Sequence, residues 1–215
     1  MLYGKFPLKR LLKGRLLQVA ELQDKLIIEM CSRFGIVLHG GTVMWRVYGG
    51  KRFSFDIDVY WERPQDILEH FKASGAFKLV RSKVTGSGVA YLRFQEGGAV
   101  VEVDISPPFR ELRPVDGEFY LVDGTSVILR ALSPEELLKE KISAFKSRKK
   151  ARDLYDAFYL LGIARDAGVK NELRGLVPLL KNEPADFAGL RELMLVGKAP
   201  EFKTIVRRVK SHAKD

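Results

Sequence analysis

The stretch Leu38–Trp61, LHGGTVMWRVYGGKRFSFDIDVYW, decides how the rest of the chain is read. It opens on Gly40-Gly41-Thr42. Fifteen residues beyond Gly41 stand two aspartates, Asp56 and Asp58, one residue apart among Phe53, Phe55, Ile57, Val59 and Tyr60. In a strand, residues i and i+2 point to the same face. Asp56 and Asp58 are therefore expected to project together, while Phe55, Ile57 and Val59 enter the core. Two adjacent carboxylates repel unless a cation lies between them, and Mg²⁺ or Mn²⁺ suits such oxygen ligands. The competing expectation is a pair of acids on the solvated face of a half-exposed sheet, because a lone D-x-D motif fits both.

The flanks of this pair add to it. IVLHG (36–40) reads as a short apolar strand and TVMWRVYG (42–49) as a short helix closed by Gly49 and Gly50. Glycines let the backbone approach a phosphate closely, and a helix start offers free N–H groups to an anion. Thr42 is expected to cap that helix or to donate its hydroxyl to the phosphate; His39 reads as a strand residue. Farther on, AVVEVDIS (99–106) places Glu102 and Asp104 on one face and Val101, Val103 and Ile105 on the other. If the two strands are neighbours, Asp104 joins the pair, and three carboxylates can clamp two metals about 3.5–4 Å apart.

Working outward, apolar residues from Leu11 to Met30 recur at helical spacing, so the pattern predicts one helix over 8–34 ended by Gly35. A second helix follows Pro64. Residues 77–105 read as strands joined by Gly-Ser-Gly and Gly-Gly turns, a hairpin pattern closed by Pro107 and Pro108. At Ser133 the sequence SPEE offers an N-cap serine, proline at N1 and Glu136 at N3. From there to Lys214 only helices and loops are expected. The predicted organisation is an α+β core over 1–130 and a helical domain over 131–215.

Composition narrows the function classes. The 215-residue chain carries a formal charge of +10 and is 46% hydrophobic, so it can build a core and attract polyanions. Cys31 is the sole cysteine, which excludes an internal disulfide and a cysteine metal cluster. No apolar run approaches the roughly 20 residues that span a bilayer. The opening MLYGKFPLKRLLKGRLLQ is too interrupted by Lys and Arg for a secretion signal, so a cytoplasmic protein without membrane association is expected. Residues 131–215 hold 18 Lys+Arg against 12 Asp+Glu, and seven of those cations lie between Lys139 and Arg152.

GGT followed by R-F-S-F-D-I-D (Arg52–Asp58), with a later strand-borne acid in Asp104, resembles the nucleotidyltransferases of the DNA polymerase β superfamily. ELLKEKISAFKSRKKARDLYDAFYL (136–160) resembles the Lys…Arg-Asp-x-x-Asp motif of the AbiEii-type toxin nucleotidyltransferases, with Lys141 and Arg152-Asp153-Leu154-Tyr155-Asp156 in those places. The resemblance covers roughly residues 10–165. It implies a polymerase β-like core with a mixed or antiparallel sheet flanked by helices, and a C-terminal helical domain that contributes Lys141 and Asp153 to the site. It further implies transfer of NMP from an NTP, with pyrophosphate released, by a toxin of a type IV-like toxin–antitoxin system. Asp56, Asp58 and Asp104 would hold Mg²⁺ or Mn²⁺, and Asp104 would also help deprotonate the acceptor hydroxyl. Gly40, Gly41, Thr42 and Lys141 would contact the nucleotide, Arg52 would contact it or anchor the strand, and Asp153 would orient Lys141 or complete the site. Arg148, Lys149, Lys150 and Arg152 would lie along an RNA acceptor such as tRNA, and a cognate antitoxin would be the protein partner. Two other readings compete: a nucleotide-binding regulator of the same fold without turnover, and a non-catalytic RNA-binding protein.

Overall fold

The computed structural model describes residues 7–164 and 168–214. The chain divides into two units, one of residues up to Gly49 together with Phe53–Leu132, the other of Gly50–Arg52 together with Ser133 onward.

The first unit begins with a single turn of helix, α1 (Leu8–Leu11), and a long helix, α2 (Gly14–Arg33). The helix expected over 8–34 is therefore broken. Leu12 and Lys13 are extended and Gly14 sits at φ +51°, a left-handed conformation that interrupts a helix at little cost only for glycine. Next come β1 (Val37–His39), α3 (Gly40–Arg46), β2 (Ile57–Tyr60), α4 (Pro64–Ser74), β3 (Leu79–Val84), β4 (Ala90–Glu96) and β5 (Ala99–Ser106). A hairpin of β6 (Val115–Tyr120) and β7 (Ser126–Ala131) completes the unit. The sequence reading assigns no element to it, although the Asp123-Gly124 turn, with Gly124 at φ +98°, is a hairpin signal.

Among the described residues the seven strands form one mixed sheet in the order β3-β4-β5-β2-β1-β7-β6. β2 runs parallel to β5 and antiparallel to β1, β1 runs parallel to β7, and the outer pairs are antiparallel. Ile57, Val59, Leu92, Phe94, Val101, Val103 and Ile105 are buried on one face. α2 packs on β5, and α4 packs on β3 and β4, where Phe71 meets Phe94 at 4.7 Å between ring centres. Burying each such large apolar side chain contributes about 1.5–3 kcal/mol. A buried polar knot ties helices to the sheet: Arg46 donates to Asp24 and, at 2.6 Å, to the Tyr120 carbonyl, while Asp24 accepts from the Val122 amide at 2.7 Å.

The second unit is helical. α5 (Pro134–Arg148) starts at Ser133, whose hydroxyl accepts from the Glu136 amide at 3.3 Å, the expected cap. α6 (Ala151–Leu160), α7 (Lys170–Leu176), two 3₁₀ turns, α8 (Leu190–Leu193) and α9 (Phe202–Lys214) follow. α9 presents Ile205, Val209 and Ala213, at helical spacing, to the packing against α7 and α6. The Gly50–Arg52 segment belongs to this unit because Leu195 donates to the Lys51 carbonyl at 2.8 Å and Arg52 bridges Met194.

Candidate active site

The register of the sheet assembles the carboxylates. Asp58 of β2 is the direct partner of Asp104 on β5, so the third acid expected from the sequence stands beside the second on the same face. Asp56 precedes β2, and Glu102 lies two residues before Asp104 on that face. Burial, and then the charges of Asp58, Asp56 and Glu102, push Asp104 up to about 7, with His39 pulling weakly the other way. His39 is the β1 partner of Asp58 and stacks on Tyr60, ring centres 4.0 Å apart and nearly parallel.

Gly40 has a different local task from the one its motif suggests. Its φ is +74°, and a Cβ placed there would fall 1.8 Å from Oδ2 of Asp58. The glycine lets the aspartate carboxylate lie against the backbone at the start of α3. Gly40 and Gly41 form the first turn of that helix and are buried in it. Thr42, also fully buried, does not cap the helix; its hydroxyl donates to the Asp56 carbonyl at 2.5 Å and so fixes the residue that carries the first acid. Phe55 corrects an expectation. It is 39% exposed, not core, because the strand begins only at Ile57, and it packs edge-on against the buried Phe53 at 4.8 Å.

All the donors in this cluster are hard carboxylate oxygens, a set that suits Mg²⁺ or Mn²⁺. Among the described residues no three carboxylate or imidazole side chains form a ready-made metal cage. Mg²⁺ is commonly held by one or two carboxylates plus substrate phosphates, so the donor set still fits an ion that arrives with a triphosphate.

In the second unit the motif residues form two ion-pair groups. Asp156, wholly buried, accepts from Arg52 at 2.6 and 2.5 Å and pairs with Lys141 at 3.0 Å. Burial opposes its ionisation, but Arg52 and Lys141 outweigh that and hold Asp156 below the usual carboxylate range. Asp153 was expected to orient Lys141, yet it accepts both of its ion-pair hydrogen bonds from Arg148, at 2.6 and 2.7 Å. The reason is the α5–α6 hairpin. Asp153 lies in the first turn of α6, facing Arg148 in the last turn of α5. Asp156, nearly a turn further on, faces Lys141 two turns earlier. Asp156 stands in the sequence motif, but only antiparallel packing identifies it as the partner of Lys141. Arg52 and Arg148, expected to meet nucleotide and acceptor, are thus each engaged by an internal carboxylate. Lys149 caps α5 at φ +54°, its ammonium 2.9 Å from the Lys146 carbonyl, and Lys150 lies 3.9 Å from Asp186.

A mixed sheet that carries paired aspartates on adjacent strands, next to a Gly-Gly helix start, is the core of a nucleotidyltransferase. Residues 32–187 match the family described as "Nucleotidyl transferase AbiEii toxin, Type IV TA system", and the chain belongs to that family. Its fold is similar to that of JHP933 from Helicobacter pylori, with 18% identity, a TM-score of 0.66, and coverage of 94% of this chain and 91% of that one. A "putative nucleotidyltransferase" from H. pylori is similar to the same degree, with 18% identity, a TM-score of 0.68, and coverage of 94% and 95%. At this identity the likeness concerns the fold. No curated protein sequence matches the chain. Among the described residues no helix is long and apolar enough to cross a membrane.

Proposed function

We propose that this nucleotidyltransferase transfers NMP from an NTP to the terminal hydroxyl of an RNA, in a reaction that depends on Mg²⁺ or Mn²⁺, as the toxin partner of a cognate antitoxin. The observation that carries the reading is the pairing of Asp58 with Asp104 across parallel strands, with Gly40 giving way to the Asp58 carboxylate. Asp56, Asp58 and Asp104 would hold the metal, which when bound neutralises charge on the phosphates and on the leaving pyrophosphate. The acceptor oxygen forms a bond to the α-phosphorus of the NTP, and the bond from that phosphorus to the pyrophosphate oxygen breaks. Asp104 takes the hydroxyl proton, a role open to a carboxylate within reach of the acceptor hydroxyl. Gly40, Gly41 and Thr42 support the site by fixing its backbone. The basic run Arg148–Arg152 supplies further charge toward an RNA.

The test offers each radiolabelled NTP with total tRNA and Mg²⁺ to the wild-type chain and to Asp58→Ala and Asp104→Ala. Label on RNA that is lost in both folded variants supports the reading. A folded Asp58→Ala protein with normal transfer overturns the metal assignment. Bound NTP without transfer in the wild type favours the regulator.

A further inference from the structure

The polar face of the sheet continues past the acids. Following the register outward from Asp58, the partners run Asp58–Asp104–Tyr91–Lys83 across β2, β5, β4 and β3. The next row runs Glu102–Arg93–Arg81. All of these β3 and β4 side chains are exposed, Tyr91 to 44%. Together with Glu102 and Asp104 they line a cavity of about 210 Å³. The face is therefore acidic at β2 and β5 and basic at β4 and β3. With strands about 4.8 Å apart, the sign changes between neighbouring strands, and the β3 cations lie about 10 Å from β5.

Two features of this surface look for an anion. Arg81 and Arg93 stand directly opposite each other, and like charges in that relation destabilise a strand pair. Arg93 reaches Glu102 only at 3.8 Å, and Arg81 and Lys83 make no ion pair among the described residues. The cavity is also smaller than the roughly 300–1,000 Å³ of a pocket that encloses a whole ligand, so it suits one end of a longer one. Tyr91, between the cations and Asp104, offers an exposed ring on which a base can stack.

We infer that this β3–β4 surface is the docking site for the 3′ end of a single-stranded RNA acceptor, with the terminal base on Tyr91, the preceding phosphates on Arg81 and Lys83, and the terminal hydroxyl at Asp104. The polarity of the face decides this direction: the neutral hydroxyl lies by the acids, and the backbone charge lies on the far side. A run of acidic residues in a peptide would bring its own carboxylates against Glu102 and Asp104. The inference rests on the nucleotidyl-transfer reading above.

Two measurements separate them. The first titrates the full chain into a fluorescent single-stranded oligoribonucleotide with a free 3′ hydroxyl, without NTP, at several salt concentrations. The double variant Arg81→Glu/Lys83→Glu should bind at least about tenfold more weakly, with a salt slope lower by about 1.4, or 0.7 for each lost phosphate contact on a single strand. Tyr91→Ala should lose about tenfold and Tyr91→Phe should keep wild-type affinity, since stacking needs the ring and not the hydroxyl. An oligonucleotide ending in a 3′ phosphate should bind more weakly than the 3′-hydroxyl form. These side chains are exposed, so unchanged melting curves accompany those losses. Wild-type affinity and slope in both Arg81→Glu/Lys83→Glu and Tyr91→Ala, or no binding by the wild type, overturns the docking site. The second measurement is label transfer from NTP by the wild type. Transfer to RNA alongside unaffected binding in the variants leaves the enzyme reading standing and removes only the docking site. Label on a protein acceptor instead of RNA overturns the acceptor assignment itself.

Discussion

At the scale of single residues, Gly40 and Asp104 define what the site tolerates. A methyl group at Gly40 would overlap the Asp58 carboxylate and force an L residue to φ +74°. Gly40→Ala should therefore cost about 1–3 kcal/mol in a urea melt. It should also lower NMP transfer by about a hundredfold, because a displacement near 1 Å in a catalytic group has that effect. Asp104 has a testable pH signature. Its folded value, about 7, lies above its ordinary value of 3.8, so the native state holds a proton that the unfolded chain has released between those limits. The stability that this proton confers is complete below about pH 4, falls as pH rises toward 7 and is gone above it. Asp104→Asn should leave melting temperature unchanged near pH 4 and raise it at pH 8, flattening the profile between. A variant as pH-dependent as the wild type would show that Asp104 does not titrate there.

At the scale of elements, the α5–α6 hairpin makes opposite demands on its two aspartates. Asp156 is fully buried between Arg52 and Lys141, which are themselves almost wholly buried. Asp156→Ala strands two cations without water and should cost about 3–5 kcal/mol. Asp153→Ala should cost only about 1 kcal/mol, since the side chain of its partner Arg148 is 46% exposed and can be rehydrated. Chemical denaturation of the two variants, read by circular dichroism, compares them directly; equal losses would contradict the packing described here. Because Asp156 is held ionised, its contribution is present at neutral pH and disappears as pH falls through its depressed folded value.

At the scale of the whole molecule, the proposed reaction brings metal and nucleotide to one site, so their binding should be linked. The carboxylates form no cage by themselves, and triphosphate oxygens would finish the coordination. Mg²⁺ and NTP added together should raise the melting temperature by more than the sum of their separate shifts. Ligand at a hundredfold excess over Kd stabilises by about 2.7 kcal/mol. Strictly additive shifts in differential scanning fluorimetry would separate the two sites.

The sequence by itself determined the α+β core, the helical character of the chain beyond Ser133, the hairpins of residues 77–105, and the Asp58 and Asp104 faces. Alternation of apolar and polar residues, glycine turns and a capping serine are local signals, and each survives without knowledge of the partner strand. Other features were decided only by tertiary structure. The chain's early helix breaks at Gly14, and Phe55 lies outside the strand and so outside the core. Lys141 pairs with Asp156 and not with Asp153, because the crossing of two helices, not their spacing in sequence, selects which carboxylate a cation meets. Gly40 is a glycine on account of Asp58, eighteen residues away, and Tyr91 and Lys83 line up with Asp104 through strand pairing. Such neighbours are set by register, and register is a property of the folded sheet: periodicity fixes the face on which a side chain lies, while only pairing fixes what stands beside it.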